Sequence, residues 1–292
     1  MGPPIGSHVD AAGGLATRGL AHAAAIGAEV IQVFASNPRG WASSPGDRAE
    51  DEALAQAGQP VFVHAPYLVN LGSGDAGTAA RSAEAVRNEL DRAARFGARG
   101  VVVHAGSASR WDRDGSRDRA HYDSARDSAL RQVGELLLPV LDKLGDDDPG
   151  LLIEPMAGQG QSLCSQVDEL APYLEALEWH PRAGICLDTC HLFAAGCDLT
   201  APGAVPGLLA ALDRAVPGRV RLVHANDSAY PCGSRRDRHA AIGAGLIGLG
   251  PFGELIRHPL LADVPFVAET PKASQEGDVA ALRRLRDCRL PA

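Results

Sequence analysis

Long apolar runs, closely spaced cysteines and lysine are all scarce in this chain of 292 residues. No apolar stretch reaches the roughly 18 residues that a membrane-spanning helix needs. The first residues lack a basic segment followed by an apolar one, so we expect no secretory signal either. The six cysteines form no Cys-x-x-Cys pair, which indicates reduced, mostly buried thiols in a cytoplasmic protein.

Positive charge is carried almost entirely by arginine, because Lys143 and Lys272 are the only lysines. This composition suits bidentate contacts with phosphate, although a GC-rich coding bias explains it equally well. The formal net charge is −8, which on its own argues against a nucleic-acid partner. Divalent ions held by acidic residues would cancel most of that charge, so the sequence charge does not exclude such a partner.

Short apolar, β-branched runs alternate with longer amphipathic stretches along the chain. This pattern predicts a parallel sheet covered on both faces, and eight such units favour a closed (β/α)8 TIM barrel. We expect a single barrel domain over residues 1–292, with the long loops 105–116 and 227–250 on the catalytic face. The predicted strands are 5–9, 30–34, 60–64, 100–104, 151–154, 184–188, 220–224 and 265–269.

Six of the predicted strands end on a residue that can bind a metal. In a TIM barrel the carboxyl ends of all strands lie on one face, so these side chains should converge. Three further histidine and aspartate residues follow in the adjoining loops, whereas Cys190 is expected to pack rather than bind a metal. The strand-end residues are His64, His104, Glu154, Asp188, His224 and Glu269, and the loop residues are His191, Asp237 and His239.

Any one of these residues alone would more often anchor a loop through hydrogen bonds. Together they are four carboxylates and five imidazoles, and burying them in one crevice is costly unless cations compensate. Imidazole and carboxylate ligands without thiolate suit zinc, with manganese or iron as alternatives. Nine ligands exceed the need of one tetrahedral ion, and sites with two or three ions catalyse phosphoester displacement.

Nine short motifs are spread over nearly the whole chain. They are GSHVDAAGG (6–14), QVFASNPRGW (32–41), HAPYLVNLGS (64–73), HAGS (104–107), EPMAGQG (154–160), LDTCHLFAAG (187–196), HAND (224–227), GSRRDRH (233–239) and ET (269–270). Their order and spacing resemble those of the endonuclease IV family. The family comprises zinc-dependent apurinic/apyrimidinic endonucleases of base-excision repair, within the xylose-isomerase-like TIM barrel superfamily.

The resemblance implies a site for three zinc ions, with manganese possible at one of them. In such a site a metal-bound hydroxide attacks the phosphorus 5′ to an abasic sugar, leaving a 3′-hydroxyl and a 5′-deoxyribose phosphate. The resemblance gives Glu154 and Glu269 the catalytic roles. It divides the ligands into His64, His104 and Glu154 for the first ion, Asp188, His224 and Glu269 for the second with Glu154 bridging, and His191, Asp237 and His239 for the third.

Double-stranded DNA containing abasic sites is the partner that the resemblance implies, with no membrane or protein partner. Arg39 and Tyr67 match the family's intercalating and stacking positions, and Arg236 and Arg238 are expected to contact phosphates. Gly40 stands where the family commonly has a polar side chain, so one possible wedge is missing.

Several positions near the ligands depart from the family pattern, namely Pro155, Met156, Ala240 and Ala244. His8, at the end of the first strand, is either a supporting residue at the same mouth or an ordinary core histidine. Two alternatives therefore stay open. One is a sugar isomerase or epimerase of the same superfamily, which would need only one metal ion, and the other is a family member with weakened catalysis.

Overall fold

Eight parallel strands close into a barrel in the computed structural model, which describes residues 2–109 and 119–288. The barrel strands are β1 (Ile5–His8), β2 (Val30–Val33), β3 (Val61–His64), β4 (Gly100–His104), β5 (Gly150–Glu154), β6 (Ala183–Asp188), β7 (Val220–His224) and β10 (Phe266–Ala268). Their order around the barrel is β1-β10-β7-β6-β5-β4-β3-β2, so the predicted (β/α)8 TIM barrel is confirmed.

Nine helices accompany the strands in the described part of the chain, with two 3₁₀ turns at Val167–Glu169 and Pro259–Leu261. They are α1 (Gly19–Ile26), α2 (Arg48–Gln56), α3 (Ala76–Arg95), α4 (Arg119–Leu141), α5 (Leu170–Ala176), α6 (Thr189–Ala195), α7 (Ala204–Ala215), α8 (Leu249–Arg257) and α9 (Gln275–Asp287). None of the described helices combines the length and the apolarity that crossing a bilayer requires.

A separate apolar layer fills the barrel interior, and its register shows which residues of each strand point inward. Its members come from seven strands: Val30, Phe62, Val102, Leu152, Cys186, Leu222 and Val267. Side chains of a strand alternate between its two faces, so the residues two positions later also point into the barrel, at its carboxyl end. Those residues are Gln32, His64, His104, Glu154, Asp188, His224 and Glu269.

The last barrel strand is shorter than the sequence indicated. We expected Glu269 to end a strand, but β10 ends at Ala268 and Glu269 is the first residue beyond it. The Glu269 side chain still points into the barrel as predicted, because the alternation of side chains continues for one residue beyond the hydrogen-bonded strand.

The loop after β7 is not entirely irregular, contrary to its prediction as one long irregular stretch. It contains a short antiparallel pair, β8 (Asp227–Ser228) with β9 (His239–Ala240). The buried Asp227 carboxylate then accepts hydrogen bonds from the backbone N–H groups of Gly243 and Ile247 at 2.9 and 2.8 Å. A Cβ on Gly245 would collide with this carboxylate. Of the other predicted loop, 105–116, only residues 105–109 are described, and 110–116 lie outside the described residues.

Candidate metal centre

The structure brings all nine predicted ligands to the carboxyl end of the barrel, in groups that overlap in space. Within each group the potential ligand atoms lie within 4.8 Å of one another. The groups are His64, His104 and Glu154, then Glu154, Asp188, His224 and Glu269, and then His191, Asp237 and His239, with Cys190 close to Asp188 and His239. The first and third match the sets for the first and third ions, and the second matches the set for the second ion together with the bridging Glu154.

Glu154 lies at the centre of the cluster and is fully buried. Its carboxylate is 3.2 Å from His64 Nε2 and 3.5 Å from His104 Nε2 on one side. On the other side it is 3.3 Å from His191 Nδ1 and 3.1 Å from His224 Nδ1. Burial alone would raise the pKa of Glu154, but the imidazoles, led by His224 and His104, outweigh it and hold that pKa well below its usual value. This carboxylate is therefore ionised and able to bridge cations.

Three histidines are oriented by backbone carbonyl groups behind them. The Nδ1 atoms of His64, His191 and His239 lie 2.7, 2.9 and 3.1 Å from the carbonyl oxygens of Ala65, Pro155 and Glu269. Because a carbonyl can only accept, Nδ1 carries a hydrogen, and Nε2 is the ring nitrogen that faces the cluster and can bind a metal once it is unprotonated. This is the arrangement in which histidine binds a metal.

The Nε2 atom of His239 shows most directly that the cluster lacks positive charge. It is buried and has no hydrogen-bond partner among the described residues, yet it lies 3.2 Å from Asp237 Oδ1 and 3.6 Å from Asp188 Oδ2. Burial lowers the pKa of His239, but these carboxylates raise it by more than burial lowers it, and the resulting pKa is about 9. A lone pair that faces two carboxylates requires a cation between them, either a proton or a metal ion.

His104 differs from the other cluster histidines because burial dominates its ionisation. Removal from water lowers the pKa of His104 to about 4 although Glu154 favours its charged form. Its ring is therefore neutral at physiological pH and ready to bind a metal. The cluster as a whole fits zinc, since its donors are imidazole nitrogens and carboxylate oxygens.

Gln32 contacts two of the proposed ligands and was missed by the sequence reasoning. Its amide oxygen accepts the Nε2 hydrogen of His224 at 2.8 Å, and its amide nitrogen donates to Glu269 Oε1 at 2.7 Å. The bond from His224 leaves Nδ1 facing Glu154 and Glu269, both at 3.1 Å. The available signal was its register, since Gln32 occupies on β2 the position that a ligand occupies on the other strands.

Asn226 supports the cluster from the loop after β7 and was also missed. Its amide nitrogen donates to Asp188 Oδ2 at 2.7 Å, and its amide oxygen accepts from the backbone N–H of Glu269 at 2.8 Å. His8, whose role was left open, lies 3.5 Å from Glu269 and within 3.0 Å of the Gln32 amide nitrogen. Burial lowers the pKa of His8, so this ring is neutral.

Replacing Gln32 with leucine is expected to weaken zinc binding by about 10- to 100-fold, because partners behind metal ligands have effects of that size. Leucine fills a similar volume but frees the ring of His224 and the carboxylate of Glu269. Elemental analysis of protein equilibrated in zinc buffers of graded free concentration would measure the change. Gln59→Leu, outside the cavity, is the matched control, and equal zinc occupancy in the two variants would contradict this role.

A cavity of about 470 Å³ opens over the cluster, a size typical of small-molecule sites. Tyr67 and Arg238 line it, as do Phe34 and Thr270. Tyr67 is 54% exposed, and its ring stacks on His104 with 6.1 Å between centroids. Two of the predicted DNA-binding residues therefore border the cavity above the metal ligands.

The other two predicted DNA-binding residues lie outside the cavity lining. Arg39 is exposed on the loop after β2, and that loop is joined to Tyr67 by a 2.9 Å hydrogen bond from the Tyr67 backbone N–H to the Pro38 carbonyl. The guanidinium of Arg236 lies over the ring of Tyr230, 4.9 Å from its centroid. DNA contact by all four residues stays a prediction.

The departures from the family pattern leave the nine potential ligands in place. Pro155 orients His191 through its backbone carbonyl, a contact that does not depend on the side chain at that position. Ala240 pairs with Asp227 in the short sheet, and Ala244 is exposed. Cys190 is buried, and burial raises the pKa of its thiol to about 12; that it packs rather than binds a metal stays a prediction.

The cysteines are less buried than predicted, although none forms a disulfide in the described part of the chain. Cys164, Cys186 and Cys190 are buried, whereas Cys197 and Cys232 are partly exposed. Cys288, near the end of the described residues, is exposed.

The chain is similar to known proteins over nearly its whole length. Residues 20–288 match the family described as xylose isomerase-like TIM barrel. The "probable endonuclease 4" of Streptomyces coelicolor is 50% identical over 97% of this chain and 95% of its own length, and that of Nitratidesulfovibrio vulgaris is 36% identical over 97% and 99%. The crystal structure of endonuclease IV from Thermus thermophilus superimposes with a TM-score of 0.81 at 34% identity, covering 97% of this chain and 98% of that one. The chain therefore belongs to the endonuclease IV family of xylose isomerase-like TIM barrels.

Proposed function

We propose that the protein is a metal-dependent DNA-repair endonuclease that hydrolyses the phosphodiester 5′ to abasic sites. Membership of the endonuclease IV family supports a hydrolase that cleaves DNA. The observation that carries the finer proposal is the convergence of three potential metal sites, of which two share Glu154 and the third brings His191 to 3.3 Å from it. Multi-metal sites suit the in-line displacement of a phosphoester, in which both the attacking and the leaving oxygen need stabilisation.

Three zinc ions, one of them replaceable by manganese, are the proposed cofactors. Bound ions would lower the pKa of water and neutralise charge on the phosphate. The proposed ligand sets are His64, His104 and Glu154 for one ion, Asp188, His224 and Glu269 with Glu154 for another, and His191, Asp237 and His239 for the last. Positive charge at this cluster would also offset much of the net charge of −8, which otherwise repels DNA.

The chain itself prepares the site in two ways. Glu154 and Glu269 are the proposed catalytic carboxylates, and Gln32 holds Glu269 by the 2.7 Å hydrogen bond from its amide, so that little reorganisation is needed during reaction. Tyr67, half exposed above His104, offers an aromatic face to a sugar or base displaced from the duplex. Arg39, Arg236 and Arg238 are the proposed DNA contacts, with the substrate a double-stranded DNA that contains an abasic site.

A sugar epimerase is the competing function, because the D-tagatose 3-epimerase-like protein shares this fold with a TM-score of 0.70 at 17% identity. Likeness at that identity concerns the fold alone. The group of His191, Asp237 and His239 favours the endonuclease, since an epimerase that uses one ion has no need of an additional metal site. Weakened catalysis is disfavoured because no departure from the family pattern replaces a proposed ligand.

A duplex that contains one abasic analogue is expected to be nicked on the 5′ side of the lesion by the zinc-loaded protein. A gel with end-labelled strands would locate the cut, and extension by a DNA polymerase would establish that the new end is a 3′-hydroxyl. The same duplex with an intact base is the substrate control, and Asp237→Asn is the protein control. Failure of fully metal-loaded protein to nick the abasic duplex would overturn the proposed function, and turnover of a ketose would favour the epimerase.

A further inference from the structure

The segment 35–46, which joins β2 to α2 and carries Arg39, is held at its beginning by helix α3. Arg92 donates a hydrogen bond from Nη1 to the carbonyl oxygen of Ala35, and Ser36 donates one from its hydroxyl to Glu89 Oε1. Both α3 residues are buried, with 8% and 4% of their surface exposed. The first two residues of the segment are therefore fixed by ionisable side chains from another element.

The same helix also holds the middle and the end of the segment. The guanidinium of Arg81 lies over the Trp41 ring, 5.0 Å from its centroid, and Arg95 Nη1 donates to the Pro45 carbonyl at 2.9 Å. A Cβ placed on Gly46 would lie 2.7 Å from the guanidinium carbon of Arg92, so the chain passes directly over that group. Positions 81, 89, 92 and 95 share one face of α3, because a helix repeats every 3.6 residues or so.

Burying charged groups beneath the segment carries a desolvation penalty, so they contribute little to the stability of the barrel. Arg92 Nη2 lies 3.6 Å from Asp51 Oδ1, and neither carboxylate oxygen of Asp51 has a hydrogen-bond partner among the described residues. Apolar residues of similar volume often stabilise a core as well as or better than such a buried ion pair. Directional donors, by contrast, fix backbone carbonyls in one place, which is what a segment that must present a side chain requires.

We propose that Glu89, Arg92 and Arg95 are positioning residues for DNA binding, which clamp the two ends of segment 35–46 so that Arg39 meets the duplex beside Tyr67. The inference rests on the proposed function. Within the segment, the Arg39 backbone N–H donates to Asn37 Oδ1 at 3.0 Å, which shapes the turn. The Pro38 carbonyl accepts from the Tyr67 backbone, so the clamp also fixes the spacing between the two proposed DNA contacts.

The first test replaces Arg92 with methionine, which keeps much of the volume and removes the donors. Loss of the clamp should raise KM for the abasic duplex about tenfold or more, because small misplacements of a binding group have large effects. Zinc content and kcat should stay close to those of the wild type, since the polar partners of Arg92, Ala35 and Asp51, are not proposed metal ligands. Hydrogen exchange of the backbone amides of 36–46 should become faster. Arg48→Met, which removes an exposed arginine of α2, is the matched control.

Three further variants keep the test valid if Arg92→Met does not fold. Gly46→Ala pushes a methyl group against the Arg92 guanidinium, whereas Gly58→Ala places one in open space at a similar positive φ, +66° against +72°. Arg95→Met releases Pro45 from an exposed position. The proposal predicts that KM is raised in Gly46→Ala and in Arg95→Met, whereas KM is unchanged in Gly58→Ala.

The outcomes separate this proposal from the proposed function. Incision by the wild-type protein tests the function, and the variants are compared only with that activity and with the exchange rates. Faster exchange in 36–46 together with a raised KM at constant kcat supports the clamp. An unchanged KM and unchanged exchange in the folded variants would overturn it, and so would a fall in kcat or in zinc content at constant KM.

Discussion

Replacing Glu154 with glutamine is expected to reduce turnover by more than about 100-fold, because loss even of partners behind metal ligands costs up to that factor. Glutamine has nearly the same shape, so the surrounding residues need not move. It removes the charge that lies within 3.5 Å of His64 and His104 and within 3.3 Å of His191 and His224. Glu154 is common to two of the proposed metal groups, so its loss should lower zinc content as well as kcat.

The matched control for this substitution is Glu169→Gln, which alters a partly buried glutamate away from the cluster. The Glu169 carboxylate accepts hydrogen bonds from the backbone N–H groups of Ser165 and Gln166 at 2.8 and 3.0 Å. Its replacement should affect thermal unfolding more than incision. Steady-state kinetics, elemental analysis and circular dichroism would compare the two variants. A Glu154→Gln protein with normal zinc content and normal kcat would remove Glu154 from the proposed mechanism.

The fold and the convergence of the ligands were predictable because both depend on strand periodicity. Apolar runs that end in histidine or carboxylate place those side chains at one end of a parallel barrel, whatever the details of the loops. The boundary at Glu269 was wrong by one residue, since strand ends depend on ladder hydrogen bonds that a sequence does not display. The direction of Glu269 nevertheless follows from the alternation that begins at Phe266.

The supporting residues were not predictable in the same way. Gln32 and Glu269 are 237 positions apart, and the register that places Gln32 beside the ligands can be recognised only when the strands of the barrel are aligned with one another. The contact of Arg92 with Ala35 likewise joins a helix to a distant loop, and an arginine near the end of a helix is usually explained by the helix dipole. Such long-range polar pairs become visible only when the packing of helices against the barrel is known.

Removing the metal ions with a strong chelator is expected to abolish incision and to lower the thermal unfolding temperature by several degrees. A ligand present at about 1,000 times its dissociation constant stabilises the native state by about 4 kcal/mol, and without it four carboxylates and five imidazoles are left in one crevice. Zinc should restore both properties, and magnesium alone should restore neither, since it prefers oxygen ligands to imidazole. If elemental analysis shows that the metal has been removed completely, undiminished incision and an unchanged unfolding temperature would contradict a catalytic metal centre.

The restoration by zinc should also depend on pH, in a direction that the histidines determine. Asp237 and Asp188 raise the pKa of His239 to about 9 in spite of its burial, so this ring is protonated in metal-free protein at pH 7. A metal can bind its Nε2 atom only after that proton leaves, so zinc uptake should release protons and weaken as the pH falls below about 9. Calorimetric titrations in buffers of different ionisation enthalpy would count the protons. Because Asp237→Asn removes a carboxylate that raises this pKa, the variant should release fewer protons at pH 7 and bind one ion fewer. Equal zinc content and equal proton release in the two proteins would contradict the roles given to Asp237 and His239.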